Sequence, residues 1–109
     1  MKYIEVDNKL PNQTFTFSTD NGTVEITLNT IDDITLFSMS AGGNNIISSV
    51  RVPANDLIIG YKHIQEQFGD FIFTSDDNNY PNFKDFNQSN KLYWLNYEEV
   101  KQFKENKNA

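Results

Sequence analysis

The stretch QTFTFSTDNGTVEITLN, Gln13 to Asn29, decides the fold class. Before its turn, Phe15 and Phe17 alternate with Thr14 and Thr16; after it, Val24, Ile26 and Leu28 alternate with Thr23, Glu25 and Thr27. A period of two places successive side chains on opposite faces, which is the pattern of a half-buried strand and not of a helix. Between the two runs, Asp20-Asn21-Gly22 supplies residues that accept positive φ, so a tight hairpin is expected there. The stretch predicts two antiparallel strands with one shared apolar face.

Upstream, Leu10-Pro11-Asn12-Gln13 forms a corner. Pro11 fixes φ and Asn12 is expected to bond its own backbone, turning the chain sharply into the first long strand. A shorter strand, Lys2 to Val6, precedes this corner. Downstream, Asp32-Asp33 is a turn and Ile34 to Met39 a third strand. Its apolar residues change phase between Leu36 and Phe37, as a bulge or burial on both faces would produce. Gly42-Gly43-Asn44-Asn45 turns the chain into Ile46 to Val52, and Pro53 ends that strand because it has no N–H to donate.

Asn55 to Tyr61 reads as a strand or a short capped turn, and Phe71-Ile72-Phe73 as a brief strand. A polar, turn-rich loop from Ser75 to Asn90 follows, then a last strand from Lys91 to Leu95. Asn96 starts a helix with Glu99 as the reciprocal partner of a capping box, and Val100 and Phe103 are its apolar spots. The reading is a mainly β chain. Residues 1–96 form one small antiparallel β-sandwich or β-barrel, and residues 97–109 one short C-terminal helix with a frayed tail from Asn106.

The length of 109 residues has material for one core. Nine Phe, five Tyr and one Trp make that core rich in large side chains. With 9 Lys and Arg against 15 Asp and Glu, the net charge is −6 and no basic stripe exists, which argues against direct nucleic-acid binding. The absence of cysteine excludes disulfides, thiolate metal sites and cysteine nucleophiles. MKYIEVDNKL has no apolar signal-peptide core, and no stretch has the length of a transmembrane helix. Three Asn-x-Ser/Thr triplets, beginning at Asn12, Asn21 and Asn87, read as chance matches in an Asn-rich chain.

No residue pattern forms a convincing active site. His63 has no serine or carboxylate partner at motif spacing and reads as a surface histidine. Asp76-Asp77-Asn78-Asn79 is the most cation-like segment, but it lacks the alternate ligands, central glycine and distal glutamate of a calcium loop, so a solvated turn is the better reading. The adjacent pairs Asp32-Asp33, Asp76-Asp77 and Glu98-Glu99 suit turns and caps better than glycoside hydrolysis. No cofactor is implied. Tyr80, Phe83 and Phe86 stand in an otherwise polar loop, and with Asp76 and Asp77 they are expected to form a protein interface; a sugar platform including Trp94 is the alternative.

The order of short segments now carries a likeness. Pro11-Asn12-Gln13-Thr14-Phe15, the meander turned at Asn21-Gly22, Val50-Arg51-Val52-Pro53 with Asp56-Leu57-Ile58, Asp76-Asp77 and Lys91-Leu92-Tyr93-Trp94-Leu95 follow one another. This order resembles the cyanophage-type baseplate plug family of contractile phage tails, over about residues 3 to 96. The chain departs from the family pattern at Ala54-Asn55, at Phe83 and Phe86 in the acidic loop, and in the charged helix beyond Leu95. The resemblance implies a virion structural protein without enzymatic activity, made in the host cytoplasm. It would plug or line the central hub channel, contact hub and neighbouring tail proteins, and act as a homo-oligomer without nucleic-acid or membrane binding. A carbohydrate- or receptor-binding module of a tail tip and a small host-directed inhibitor are the competing readings.

Overall fold

From the N-terminus the chain forms β1 (Lys2–Ile4), β2 (Gln13–Thr19), β3 (Gly22–Ile31), β4 (Ile34–Ala41), β5 (Asn44–Arg51), α1 (Lys62–Phe68), β6 (Asp70–Ser75), β7 (Asn90–Leu95) and α2 (Tyr97–Asn108). The computed structural model describes the backbone of residues 1–108 and the side chains of residues 1–107.

Strands β2 to β5 make a four-stranded antiparallel meander in sequence order. Each connection is a two-residue loop, closed by Thr19 opposite Gly22, Ile31 opposite Ile34 and Ala41 opposite Asn44. Asp32 and Asp33 have φ of 49° and 64°, and Gly42 and Gly43 of 58° and 79°. These pairs match the twist of their strands as turns with two positive-φ residues. The first hairpin differs from expectation: Gly22 takes φ 127°, whereas Asn21 is not among the positive-φ residues.

The phase change in β4 has a concrete cause. Thr35, Phe37 and Met39 all face inward and are buried, so β4 itself keeps its period, and Ile34 and Leu36 are apolar residues of its outer face. The register shifts fall in the β4–β5 pairing, where Phe37 faces Val50 but Met39 faces Ile47. Ser48 and Ser49 therefore stand opposite Ser38 alone, a bulge with one extra residue in which Ser49 sits at φ 51°, and Ile46 is a second extra residue between Asn45 and Ile47.

The second sheet has the order β1-β7-β6 and is antiparallel throughout. Its inner face is buried against the meander, and α2 covers part of its outer face, where Tyr3 and Lys91 remain exposed. Phe71, Phe73, Leu92 and Trp94 pack toward Val24, Ile26, Leu28, Phe37 and Met39 of the meander. Ile72 and Leu95 point the other way and pack with Val100 and Phe103 of α2. Rings cross the inter-sheet space, with Phe17 at 5.6 Å from Trp94 and Phe37 at 5.4 Å from Phe71. Such pairs each contribute about 0.5–1.5 kcal/mol beyond the area they bury.

The fold is mainly β, two stacked antiparallel sheets, and the sheets do not close into a barrel. The single expected helix is joined by a second, α1. Ile64 and Phe68 of α1 are buried four positions apart, and Gly69 ends it at φ 79°. Asn96 and Glu99 form the expected reciprocal cap of α2, bonding each other's backbone N–H at 2.9 and 3.1 Å. Helix α2 runs through Asn108, past the position where fraying was expected, and Ala109 lies outside the described residues.

The Asn55–Tyr61 segment makes a single antiparallel bridge, Leu57 to Ile72, and does not extend into a longer strand. It lies along β6, with Asn55 N–H bonded to the Phe73 carbonyl and Ile58 N–H to that of Phe71, both at 2.9 Å. The corner also works differently from expectation. Asn12 Oδ1 accepts from the N–H of Thr30 at 3.1 Å instead of from its own backbone. Gln13 holds the corner: its amide oxygen accepts from Asp7 N–H at 3.0 Å, and its amide nitrogen donates to the Asp7 carbonyl at 2.7 Å.

Candidate functional site

The loop between β6 and β7 is pinned at both ends, and this decides which of its side chains are available. Asn55 bonds both backbone groups of Ser75, and its amide also reaches Asn78 Oδ1 at 2.9 Å. Asp77 accepts from the Ser75 hydroxyl at 2.9 Å and from the Asn79 backbone at 3.1 Å. The Asn79 N–H, then the Ser75 hydroxyl, hold the Asp77 carboxyl below the usual carboxylate range. Asp76 and Asp77 are both exposed and sit in a turn with Asn78 at φ 63°.

Further along, the loop crosses the end of the meander. The Thr35 hydroxyl donates to the Pro81 carbonyl at 2.8 Å, and Asn82 reaches Asp33 at 3.4 Å. Tyr80 is 55% exposed, and the Arg51 guanidinium lies 3.8 Å from its ring centroid. An arginine over a tyrosine face is held by the ring quadrupole and keeps its N–H groups free for a partner. Ile31, at the same end of the meander, is 58% exposed.

Two expected members of the aromatic cluster are placed differently. Phe86 is 1% exposed and stacks on Phe73 at 5.0 Å with an interplanar angle of 19°. The physical reason lies in its polar neighbours, which spend their groups on local bonds. Phe86 N–H bonds the Phe83 carbonyl and Asn87 N–H the Asn90 carbonyl, while the Asn87 side chain holds both backbone groups of Val6 and accepts from the Tyr3 hydroxyl. With its surroundings satisfied, Phe86 sinks into the core as filling. Phe83 is half-buried against the same core. The exposed set is Asp76, Asp77 and Tyr80, joined by Arg51, which sequence reasoning missed.

Trp94 is also internal. It is 8% exposed, packs on Phe17 and donates its indole N–H to the Phe68 carbonyl at 2.8 Å. Neither ring offers the open face that a sugar platform requires. His63 is exposed on α1 beside Tyr61, with ring centroids 6.2 Å apart. Among the described residues, no group of three or more Asp, Glu, His or Cys is gathered as a metal site. No helix among them is long and apolar enough to cross a membrane.

Asp70 is fully buried, and its carboxylate is a knot of the fold. Its oxygens accept from Ile59 N–H, Gly60 N–H, Phe71 N–H and the Gln65 side-chain amide, between 2.6 and 3.0 Å. Gln65 in turn accepts from the Lys104 ammonium of α2 at 2.6 Å. Burial pushes the Asp70 carboxyl above the ordinary aspartate range, and the four N–H donors oppose that shift. Four inward donors leave no room for a substrate. The group ties α1, β6 and, through Gln65, α2 together.

The two stacked sheets, the internal carboxylate knot and the pinned loop are the frame in which comparison with known families is made. A protein-family model described as the cyanophage baseplate Pam3 plug gp18 matches residues 1–98. The chain belongs to this family. No individual curated protein matches it. The match runs through β1 to β7 and into the first residues of α2, so most of α2 lies beyond it. Membership in a baseplate plug family supports a structural role in the phage baseplate, a place in the virion tail and contact with other baseplate proteins. The Tyr80–Arg51 pair and the Asp76–Asp77 turn are exposed on this plug-family chain, as are Ile31 and Tyr61.

Proposed function

We propose that this chain plugs or lines the central hub channel of a contractile-tail baseplate and meets the hub proteins through the loop from Asp76 to Tyr80 together with Arg51. The observation that carries the reading is the family match over residues 1–98. The exposed pair supports the choice of surface, because aromatic and arginine side chains held rigidly at a surface make strong anchors for a protein partner. The neighbouring carboxylates, with Asp77 held ionised, add a charge that selects a basic counterpart.

Net charge −6 also suits a channel through which DNA must pass, since an acidic wall repels the phosphate backbone. Copies of the chain around the tail axis would close the channel before ejection and leave it afterwards, without catalysis and without a cofactor. The test is reconstruction of intact tails carrying Tyr80→Ala or Arg51→Glu in this chain. The reading expects loss of the chain from the baseplate axis while the purified variant stays folded. Normal occupancy in both variants would remove this surface from the reading. Absence of the wild-type chain from the axis would remove the plug itself.

A further inference from the structure

Of the four sheet edges, one is covered, one is broken by a bulge and one is very short. The outer edge of β6 is covered by the Asn55–Ile58 segment, which bonds its backbone at Phe71, Phe73 and Ser75. The edge of β5 is broken by its bulge and by Ser49 at φ 51°, which a flat incoming strand cannot follow. Strand β1 is only 3 residues long. Strand β2 is different: 7 residues, without proline, charge or bulge, paired to β3 on one side in unbroken register.

The register fixes which backbone groups are free. Thr19 and Gly22 close the two-residue hairpin as a hydrogen-bonded pair, so alternation makes Phe17–Val24 and Phe15–Ile26 the next such pairs. The N–H and C=O groups of Thr14, Thr16 and Ser18 therefore point away from β3. Among the described residues, no hydrogen bond outside the sheet ladder engages the backbone of residues 14–18. Their side chains are exposed, while Phe15 and Phe17 remain only partly buried at the margin of the core.

The sequence of this edge reads alike in both directions. Around Thr16, Phe15 mirrors Phe17, Thr14 mirrors Ser18, and Gln13 mirrors Thr19. The geometry points to antiparallel pairing of β2 with β2 of a second copy of this chain, about a two-fold axis at Thr16. Thr16 then faces its own counterpart, and Thr14 faces Ser18, each as a pair that exchanges both backbone bonds. On the inner face Phe15 meets Phe17 of the other copy, which covers the ring edges that one copy leaves open. On the outer face hydroxyl meets hydroxyl. The absence of charge matters as much: in a chain of net charge −6, this is a strand that two copies can bring together without facing carboxylates. The inference concerns the free chain in solution and does not rest on the baseplate reading.

Native mass spectrometry and sedimentation across a concentration series, on the wild type and on Thr16→Lys, test it. Lysine is the instructive replacement, because it places like charges opposite each other at the axis, on the outer face and away from Lys2, whose ammonium lies 5.5 Å from the inner-face Phe17 ring centroid. The expected result is a wild-type species at twice the 12.6 kDa chain mass and a Thr16→Lys species at the chain mass whose melting curve matches that of the wild type diluted to monomer. Amide hydrogen exchange on the wild type gives a readout that needs no variant: Thr14, Thr16 and Ser18 are slow in the dimer and become fast on dilution. A monomeric wild type, a dimer that survives Thr16→Lys, or fast exchange at these amides within a dimer overturns the proposal. Protection of a monomeric wild type only when baseplate protein is added overturns it too, and assigns the edge to a foreign strand.

Discussion

Trp94 donates its indole N–H to the carbonyl of Phe68, the last residue of α1, and the bond passes directly over Gly69. This contact locks the helix that sequence periodicity did not reveal onto the strand that it did. A Cβ at Gly69 would stand 2.2 Å from the Leu95 carbonyl oxygen and 2.8 Å from Trp94 Nε1, at a backbone φ of 79°. Gly69→Ala is therefore expected to destabilise the fold by more than about 3 kcal/mol, through positive-φ strain and backbone collision together. Urea unfolding against wild type measures it, and a loss under about 1 kcal/mol would show that β7 can move aside.

The Asp70 knot makes a second prediction. Asparagine keeps one acceptor oxygen but turns an NH2 toward donors that now face the carboxylate, and alanine leaves all of them unanswered. Asp70→Asn and Asp70→Ala are each expected to cost about 2–4 kcal/mol. Equal stability of wild type and Asp70→Asn would mean that the knot is not fully formed. Lys104→Met, which removes the cation that bonds Gln65, is expected to cost less, since the Gln65–Asp70 bond survives it.

The two sheets were legible because their signal is local. Val24, Ile26 and Leu28 alternate within one strand, and the turns at Asp32-Asp33 and Gly42-Gly43 name themselves by residue type. Helix α1 was not, although Ile64 and Phe68 at a spacing of four followed by Gly69 were a readable signal, because one helical turn of apolar residues is too little for periodicity to decide. At the candidate site, Tyr80 could be picked out as an aromatic in a polar loop, but Phe86 could not be told from it. Their difference arises from the Asn87 side chain bonding Val6, a contact between residues 81 positions apart. Arg51 is 29 positions away in sequence from the Tyr80 ring it covers, so no local pattern announces it.

A third prediction concerns acid. The chain's terminal ammonium, then the Asn96 N–H, hold the Glu99 carboxyl below the usual glutamate range. A carboxyl with a lowered folded value binds its proton more weakly in the folded state than in the unfolded one. Its contribution is full above the ordinary glutamate range and is lost as pH falls through the lowered value. Denaturation curves taken on descending pH should therefore show α2 loosening on the acid side. Glu99→Ala should lose about 1 kcal/mol at neutral pH and flatten that limb. An unchanged acid limb in the variant would assign it to other carboxylates.

The exposed pair gives a fourth prediction, in which stability and assembly part company. Tyr80→Ala and Arg51→Ala each remove an exposed cation–π contact and should lower stability by less than about 1 kcal/mol. Phe86→Ala, by contrast, empties the site stacked on Phe73 and should cost about 3–5 kcal/mol. Thermal melts of the three variants check the ranking. A costly Tyr80→Ala would make the ring part of the core and not a surface for partners.

The most direct test of the account is a density map of the intact phage tail with this chain located in it. The plug reading expects the chain at the baseplate axis, within the hub channel, with Tyr80 and Arg51 against a hub subunit. Density that places the chain on the baseplate periphery, or tails that contain none of it, would contradict the account.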